Sequence, residues 1–445
     1  MKQSIYRKQA EDLKEIFDRT MQETAPDRLV RDTVKPSSEG LYIKDNHYSL
    51  MPDQHVWVFG TGKASARMAL ALEEILGDQI KDGIVITPPS TTTATQRIQQ
   101  FEGAHPIPDR TSESATYELL NLTKKIPKDD IVIYCLSGGT SALLCMPAKG
   151  LELEDLQQTH QLLIHSGADI KEINTVRKHI SGIKGGQLLH HLKDTRLIDL
   201  VISDVPGDTL EDIGSGPTTP DSTTYQEAFQ ILKRYRLWEE IPHPVRTHIA
   251  KGMHHDIPET PKPHSDILVK HQSHIIGSAR NAAETAARFC EEMGYHARVE
   301  SEVFTGDVEE VSQHVTGQLI NVLEEDDPVS KPAALIFYGE STVEVTGDGL
   351  GGRNQELALH AVRFLKDRHH ISLMSAGTDG RDGPTDAAGA LCNGQTFEKA
   401  QAESYDPDIF LKNNDSYHFF DAFDLLLKTG PTGNNVMDLV VGLVE

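Results

Sequence analysis

Short runs of apolar residues alternate along the chain with longer segments in which apolar residues recur every three or four positions. The short runs are rich in Val, Ile, Phe and Trp and end in glycine or polar residues, which predicts buried strands. The longer segments predict amphipathic helices. Strands are predicted at 55–60, 83–87, 274–278, 296–301, 334–340, 342–347, 371–377 and 438–444, with two more that begin at Ile131 and Leu197.

Strands that alternate with helices at these lengths are typical of βαβ units. The pattern therefore predicts an α/β protein whose first part contains a mostly parallel sheet with helices on both faces. A length of 445 residues favours two domains rather than one core. Residues 241–266 are rich in Pro and His and lack periodicity, which predicts a linker between domains at 1–240 and 267–445.

Two helical regions are long enough to predict in more detail. Residues 5–35 are predicted to be helical, with Pro26 ending the first helix. Residues 152–192 form the longest predicted helical region, with an apolar stripe at Ile173, Val176, Ile180 and Ile183. The other side of that stripe carries Asn174, Arg177, Lys178, Ser181 and Lys184. Three basic residues on one face are unusual in an acidic protein, and the alternative is a solvated face with routine surface cations.

The net charge of −24 excludes most nucleic-acid binders, which cluster Lys and Arg to neutralise phosphates. It also means that a site for an anionic substrate must be locally positive or contain a metal. The first residues contain no apolar segment of the secretory type, and no apolar run approaches the ~20 residues of a membrane span. Four scattered cysteines indicate a reducing compartment. We therefore expect a cytoplasmic protein without nucleic-acid or membrane partners.

A glycine loop follows the strand that begins at Ile131. Its residues are Ser137, Gly138, Gly139, Thr140 and Ser141, and a helix is expected to begin directly after them. Paired glycines let the backbone approach a ligand, and free N–H groups with hydroxyls can hold an anion. The loop therefore predicts a phosphate site, although Ser and Thr that merely cap a helix would give the same pattern.

The segment GTGKAS at 61–66 invites comparison with the P-loop motif, but Trp57 and Ala64 stand where that motif requires Gly and Ser or Thr. The segment does contain a strand, a turn at Gly62 and a lysine at the start of a helix. Because a helix start disfavours positive charge, Lys63 is predicted to be an anion ligand, with a plain surface lysine as the alternative.

The segment GDGLGGRNQE at 347–356 formally contains G-x-G-x-x-G, which by itself is weak evidence for a dinucleotide site. No strand ending in an acidic residue follows about 20 residues later, as that fingerprint requires. The interpretation we favour is a flexible glycine loop that presents Arg353 to a carboxylate or phosphate, which arginine binds through two parallel bonds.

Two acidic loops follow predicted strands. The first contains Asp204 and Asp208, and the second contains Asp379, Asp382 and Asp386. Carboxylates at strand ends suit Mg²⁺, which takes one or two of them together with phosphate oxygens of a substrate. They could equally supply a general base, and turn or helix capping is the structural alternative.

Taken together, these loops resemble the glycerate 2-kinase family, which is also known by its C-terminal MOFRL domain. The resemblance runs from about residue 55 to the end of the chain. The blocks that carry it are VFGTGKASARMA, GAHPIPD, LSGGTSALL, SGADIKEINTVRKHISGIKGGQL, ISDVPGD, GGRNQELAL, GTDGRDGPTDAAGA and TGPTGNNVMDL. It implies a Rossmann-like first domain and a smaller α/β MOFRL domain at about 333–440. It also implies phosphorylation of D-glycerate to 2-phosphoglycerate with ATP and Mg²⁺ in a cleft between the domains of a monomer or homodimer.

The resemblance also implies roles for individual residues. Lys63 and Arg353 become the catalytic pair, and the 137–141 loop, with Gly62, becomes the nucleotide site. From the chemistry of the acidic loops, one of Asp204, Asp208 or Asp379 is expected to accept the hydroxyl proton, with Asp204 as the first candidate. Asp204 and Asp379 are the predicted metal ligands. Residues predicted to bind substrate are Asn174, Lys178, Lys184, Asp208, Asn354 and Asp382. The alternatives are an NAD(P)H-dependent hydroxypyruvate reductase and a non-catalytic module that binds a sugar acid or a nucleotide.

Overall fold

The structure, a computed structural model, describes residues 2–89, 91–268 and 270–445. Contacts divide the chain into two units. The first, which we call the split unit, combines Met1–Arg28 with Gly277–Glu445, and the second, the inserted unit, is Leu29–Ile276. No helix in the described part of the chain is both long and apolar enough to span a bilayer.

The elements are numbered in chain order. The strands are β1 (Val34–Ser37), β2 (Gly40–Ile43), β3 (Asn46–Ser49), β4 (Val56–Thr61), β5 (Ile80–Thr87), β6 (Ile98–Glu102), β7 (Ile131–Leu136), β8 (Arg196–Ile202), β9 (His271–Gly277), β10 (His296–Val299), β11 (Phe304–Asp307), β12 (Ala333–Thr342), β13 (Ile371–Gly377), β14 (Gly389–Asn393), β15 (Leu426–Leu427) and β16 (Asp438–Val444). The α-helices are α1 (Lys2–Glu23), α2 (Pro26–Thr33), α3 (Ser65–Leu76), α4 (Arg110–Thr123), α5 (Thr140–Leu143), α6 (Leu153–His165), α7 (Ile170–His179), α8 (Leu189–Leu192), α9 (Tyr225–Arg234), α10 (His243–Met253), α11 (Ala279–Glu292), α12 (Val308–Glu325), α13 (Arg353–Phe364), α14 (Thr396–Ala402), α15 (Pro407–Lys412) and α16 (Ser416–Ala422).

The inserted unit is built on a six-stranded sheet in the order β6-β5-β4-β7-β8-β9. The β6–β5, β5–β4, β4–β7 and β7–β8 pairs are all parallel. β4 and β7 lie at the centre and are buried along their whole length, as their apolar runs predicted. The carboxyl ends of β4, β7 and β8 therefore meet at one edge of the sheet, where open α/β sheets bind their ligands.

The split unit contains a seven-stranded mixed sheet whose central strand is β16, antiparallel to both β12 and β13. Alternate residues of β16 enter two different cores. Val440 and Val444 pack with α12 and α13, whereas Leu439, Val441 and Leu443 pack with α1 and α11. Helices thus cover both faces of this sheet, and the predicted α/β class, with one parallel sheet and a second sheet in a MOFRL region, is confirmed.

The predicted linker at 241–266 is not a linker in the structure. Its first half forms α10, whose Val245 and Ile249 are fully buried in the core of the inserted unit. Its second half is held by Glu259, which accepts a hydrogen bond from the backbone N–H of Tyr225 at 3.1 Å. The composition was misleading because Pro242 and Pro244 stand at the start of a helix, where proline is tolerated.

Other differences have equally local causes. Pro26 begins α2 instead of ending α1, since proline suits the first helical turn. The predicted strand at 342–347 is absent, because the chain leaves the sheet after Thr342. The long helical region at 152–192 is broken into α6, α7 and α8, with left-handed glycines at Gly167, Gly185 and Gly186 between them.

Candidate functional site

The turn after β4 is joined to the glycine loop after β7. The backbone N–H of Lys63 donates to the carbonyl oxygen of Gly138 at 2.9 Å, and that of Ala64 donates to the Ser137 hydroxyl at 3.0 Å. Gly62 has φ +121°, and a Cβ there would lie 2.2 Å from the Ser137 hydroxyl oxygen. Only glycine permits this approach, so the two turns fix Lys63 beside the loop.

The glycine loop uses its hydroxyl groups internally. The Thr140 hydroxyl is fully buried and lies 2.8 Å from the carbonyl oxygen of Ser137 and 2.9 Å from that of Thr61. The Ser215 hydroxyl donates to Asn174 at 3.2 Å, so it can accept from Ser141, which lies 3.0 Å away. The sequence predicted these hydroxyls as anion donors; in the structure they shape the loop.

The backbone amides of the same loop are available to a ligand. The N–H groups of Gly138, Gly139, Thr140 and Ser141 donate to no acceptor among the described residues. The helix that begins here, α5, is only four residues long, so the amides of the turn matter more than a helix dipole. Buried backbone N–H groups are nearly always bonded, and a run of four unbonded ones fits an anion.

Three side chains surround these amides. Lys63 is exposed and its ammonium group makes no hydrogen bond or ion pair with a described residue. A Cβ on Gly139 would lie 3.3 Å from His105 Nε2 and 3.5 Å from Lys63 Cγ, so both side chains pack over the loop. Burial lowers the pKa of His105, and the charge of Lys63 lowers it further. Asp204 lies just beyond β8; burial raises its pKa, and the nearby charge of Lys63 opposes that shift.

Three predicted substrate residues of α7 and the following turn bond within the protein. The ammonium of Lys178 lies 3.3 Å from both Glu211 and Asp221, and its side chain is only 4% exposed. Lys184 donates to the carbonyl oxygen of Leu144 at 2.6 Å, at the end of the glycine loop, and burial lowers the pKa of this lysine to about 8. Asn174 bonds to Ser215 as described above. Asn174 and Lys184 are thus linked to the loop or to the residues just after it, Lys178 is paired with acids, and direct substrate contact by any of them remains a prediction.

Asp208 lies in the turn that follows Asp204. Its backbone N–H donates to the carbonyl oxygen of Val205 at 3.1 Å, and its φ of +54° is left-handed. Asp tolerates this conformation better than most residues, which gives it a structural role in the turn. Its carboxylate makes no hydrogen bond with a described residue, so its predicted contact with substrate is compatible with the geometry.

In the split unit, Arg353 is paired with acids. Its Nε and Nη2 groups donate to the two carboxylate oxygens of Asp438 at 2.6 and 2.9 Å, and Nη1 lies 2.6 Å from Glu340. Burial alone would lower the pKa of Arg353, but these bonds and charges raise it. Three of the five N–H donors of the guanidinium are occupied, which leaves two for a ligand. The sequence indicated neither partner, although Asp438 is the acidic first residue of an otherwise apolar strand.

The predicted substrate residue Asp382 caps α13 from another segment of the chain. Its carboxylate accepts the backbone N–H groups of Asn354 at 3.0 Å and Gln355 at 2.8 Å, as well as the Gln355 side-chain amide at 2.9 Å. The N-cap residue itself is Gly352, which has no side chain to do this. Asn354 is also internal, since its Oδ1 accepts from the Ser375 hydroxyl at 2.7 Å. Substrate binding by these two residues stays an untested prediction.

Asp382→Asn is expected to lower the free energy of unfolding by about 2 kcal/mol or more at pH 7.5, because an amide nitrogen would leave buried N–H donors of Gln355 without an acceptor. Asp307→Asn, at the exposed N-cap of α12, is the matched control and should be close to neutral, since Asn and Asp cap equally well.

Burial raises the pKa of Asp382 to about 6. The native state therefore binds more protons than the unfolded state between about pH 4 and pH 6, and stability should fall as pH rises through that window. Urea unfolding of wild type and both variants across this range measures both effects; a flat wild-type profile would contradict the assignment.

The G-x-G-x-x-G pattern serves packing in this structure. A Cβ on Gly347 or Gly349 would lie 2.4 Å from the carbonyl oxygen of Asn413, and one on Gly352 would lie 2.4 Å from Asp382. The backbone N–H of Gly347 also donates to Asn414 at 2.9 Å. The loop is held by these contacts, contrary to the flexible loop expected from the sequence. Because Asp382 occupies the N–H groups where a pyrophosphate would bind, the pattern does not form a dinucleotide site.

The two predicted metal ligands lie in different units, Asp204 in the inserted unit and Asp379 in the split unit. Asp379 accepts the backbone N–H of Arg381 at 3.0 Å. Among the residues that the structure describes, no group of three or more His, Cys, Asp or Glu side chains could hold a metal ion. A cation bound at either aspartate would therefore depend on oxygen atoms from a substrate.

Two family models match this chain. A model described as a domain of unknown function, DUF4147, matches residues 12–250, and the MOFRL family model matches residues 333–438. A D-glycerate 2-kinase of Thermotoga maritima is 39% identical over 94% of this chain and 98% of its own length. This chain belongs to the glycerate 2-kinase family. A glycerate 2-kinase of Pyrococcus horikoshii is 38% identical over 94% of this chain and 93% of its own length.

Solved structures agree with this membership. The crystal structure of a glycerate kinase from Thermotoga maritima has a TM-score of 0.88 and 37% identity, and covers 99% of this chain and 100% of that one. Membership places the chain among phosphotransferases with an alcohol group as acceptor, as predicted from the resemblance. A relative from Agrobacterium vitis, 37% identical over 86% of this chain and 97% of its own length, carries the name putative hydroxypyruvate reductase.

His105 was not predicted as a site residue from the sequence. It stands in the block GAHPIPD, which served only to identify the family resemblance. The available signal was its position just after β6, at the same sheet edge as Lys63, but β6 itself was not predicted. Without that strand, nothing in the pattern places the loop beside the glycine turn.

Proposed function

We propose that this protein transfers the γ-phosphoryl group of ATP to the 2-hydroxyl of D-glycerate, giving 2-phospho-D-glycerate and ADP. The observation that carries the proposal is the site of the inserted unit. There a lysine and four backbone amides, none of them bonded to a described residue, lie together at the carboxyl edge of a parallel sheet, in a chain with a net charge of −24. Such a local excess of donors in an acidic protein suits the charge of a phosphoryl group.

Phosphoryl transfer asks the protein mainly for positioning and charge stabilisation. In our proposal the amides of Gly138–Ser141 and the ammonium of Lys63 bind phosphate oxygens. The 2-hydroxyl oxygen of glycerate attacks the γ-phosphorus while the bond to the β–γ bridging oxygen breaks, and ADP leaves with that electron pair. Asp204 accepts the hydroxyl proton. Its partial burial suits this role because a raised pKa makes a carboxylate a better base.

Mg²⁺ fits this site in its usual mode, in which one or two carboxylates and the substrate phosphates supply the ligands. Asp204 is the residue that would hold it, and the ion would neutralise phosphate charge when bound. The electrostatic interaction between Asp204 and Lys63 supports this assignment. Asp379, which also follows a strand, is kept as a second candidate ligand.

Arg353 is proposed to act on the same phosphoryl group or on the carboxylate of glycerate, in the interdomain cleft that the family resemblance implies. The two N–H donors left free by Asp438 and Glu340 support this role. Under this proposal catalysis needs both units. The oligomeric state, monomer or homodimer, remains a prediction.

The proposal is tested by phosphorus NMR of the product formed from D-glycerate and MgATP, which reports activity and the phosphorylated position together. We expect a 2-phosphoglycerate signal that depends on Mg²⁺ and on the protein. A 3-phosphoglycerate signal would refute the regiochemistry, and no transfer would refute the kinase. Oxidation of NADH by hydroxypyruvate would instead support the reductase, which the capped α13 disfavours. Ligand binding without turnover in either assay would support the binding module.

Asp204 gives the proposal a pH signature. Because burial raises the pKa of this carboxyl, kcat/KM for D-glycerate should fall on acidification at a pH above the ordinary range of aspartate. Asp204→Asn should lose most activity and the acidic limb together. Asp53→Asn, at an exposed position of the inserted unit before β4, is the matched control and should keep the wild-type profile. An unchanged acidic limb in the Asp204 variant would exclude this residue as the base.

A cytoplasmic location is part of the proposal, and the cysteines support it. All four, Cys135, Cys145, Cys290 and Cys392, are buried free thiols. Unpaired thiols are typical of proteins that work in a reducing compartment.

A further inference from the structure

Arg177 on α7 is a guanidinium without a counter-ion. It makes no hydrogen bond or ion pair with any described residue, and its Nε lies buried without an acceptor. Burial lowers the pKa of this arginine, with no opposing carboxylate. Because leaving a buried charge without a partner is costly, a ligand that bonded to the buried side of this guanidinium would stabilise it.

Arg177 shares its surroundings with a buried histidine and a second cation. Burial lowers the pKa of His160 on α6 well below its usual range, and the nearby charges of Arg177 and Lys184 lower it further. The Nε2 atom of His160 is also buried without a hydrogen-bond partner among the described residues. Two cations close to one imidazole make this part of the inserted unit locally positive, which favours an anion.

Hydrogen bonds tie the neighbours of Arg177 to the glycine loop. Asn174 precedes it by three residues, on the same face of α7, and bonds to Ser215, which lies within hydrogen-bond distance of Ser141. Lys184, whose charge acts on His160 as that of Arg177 does, donates to the carbonyl oxygen of Leu144, three residues beyond the loop. These two links connect the surroundings of Arg177 to the Ser141 end of the loop.

A second chain of contacts leads to the same region. Gln157 of α6, three residues before His160, donates to the carbonyl oxygen of Pro108 at 2.7 Å. Pro108 ends the segment that begins at His105, which packs over Gly139. The loop thus has Lys63 and His105 near Gly139, and the neighbours of Arg177 are linked to its Ser141 end. Arg177 is only partly buried, so its outer face is open to a ligand.

We propose that Arg177 binds the carboxylate of the three-carbon acid and thereby selects an acidic acceptor. The inference rests on the proposed function and deepens it. The phosphate groups already have Lys63 and four amides, whereas Lys178 and Lys184 are bonded to protein oxygens. Arg177 remains as the unpaired cation of this set, and its planar fork matches a carboxylate through two parallel bonds.

The test compares three variants with wild type. Arg177→Met should raise KM for D-glycerate about 10- to 100-fold, the loss expected for a hydrogen bond to a charged group, and should leave KM for ATP within about twofold. Arg177→Lys keeps the charge without the fork and should fall between them. Lys171→Met removes an exposed cation from the same helix and should behave as wild type.

Thermal unfolding supplies a readout that does not depend on turnover. Because Arg177 bonds to no residue that the structure describes, Arg177→Met should unfold at the wild-type temperature or above it. D-Glycerate should raise the unfolding temperature of wild type but not of this variant, while ATP should raise both. A structural arginine would instead lower the unfolding temperature when replaced.

The outcomes separate the two proposals. Wild type that makes no phosphoglycerate refutes the proposed function, and Arg177 is then judged by the D-glycerate thermal shift alone. Wild type that is active together with an unchanged KM for D-glycerate in Arg177→Met overturns the Arg177 assignment. A raised KM for ATP alone also overturns the Arg177 assignment, as does an Arg177→Met variant that fails to fold.

Discussion

Lys63→Met should reduce kcat/KM for D-glycerate and MgATP by about 10²–10³-fold, the usual cost of removing one donor that stabilises charge in a transition state. The ammonium has no partner among the described residues, so its loss deprives the ligand of a bond and the protein of none. A lysine at the start of a helix also opposes the helix dipole, and the variant should therefore remain fully folded. Steady-state kinetics with circular dichroism measures both effects.

The matched control is Lys81→Met. Lys81 is an exposed lysine near the start of β5, at the amino edge of the same sheet. It should leave kcat/KM within about twofold of wild type, as expected for a surface charge remote from the site. Equal losses in both variants would mean that total charge, and not the position of Lys63, governs activity.

Arg353→Lys should lower kcat/KM by about 10²-fold or more, because a lysine cannot reproduce three directed contacts and still offer donors to a ligand. The partner of Arg353, Asp438, is fully buried. Burial raises the pKa of Asp438, and the bonds from Arg353 oppose part of that shift. Lysine keeps a charge next to this carboxylate, so the fold should survive. The measurement is kcat and KM for each substrate, with urea unfolding in parallel.

Arg363→Lys, at the other end of α13, is the control for this variant. Arg363 lies 3.1 Å from Glu309 and 2.8 Å from Asp408, both exposed acids, and such surface pairs contribute little. Its activity and stability should match wild type. If Arg353→Lys is as active as this control, Arg353 has no part in the reaction and serves only to hold Asp438.

The sequence was sufficient to predict the central strands of the parallel sheet and the glycine turns that follow them. β4 and β7 are continuous apolar runs that end in glycine-rich turns, and their burial on both sides follows from composition alone. Lys63 could be identified because its position works against helix formation. Such local conflicts often indicate ligand binding.

The division into units could not be predicted in the same way. Leu13, Ile16 and Phe17 show that one face of α1 is buried, and the structure packs them against Ala283 and Phe289 of α11. A periodic pattern gives the face of a helix but not its partner. The predicted boundary at 241–266 was therefore wrong. The inserted unit ends at Ile276, and its beginning at Leu29 was not predicted at all.

The roles of polar residues in the site were hardest to predict. Asp382 and Asn354 stand 28 residues apart, and only the tertiary fold shows that one caps the helix to which the other belongs. The unpaired state of Arg177 is equally invisible in a sequence, since it depends on which acids the fold brings near. Motifs locate a site, whereas hydrogen-bond accounting separates residues that build it from residues left open to a ligand.

The position of β16 at the centre of its sheet has a consequence for synthesis on the ribosome. The inserted unit has all its strands once Gly277 has emerged, and domains generally fold as units in the order in which they are made. Helix α1 is made first, yet the sheet that it covers lacks its middle strand until residues 438–444 emerge. The apolar face of this helix must therefore wait, exposed or shielded by other cellular factors, through almost the whole of translation.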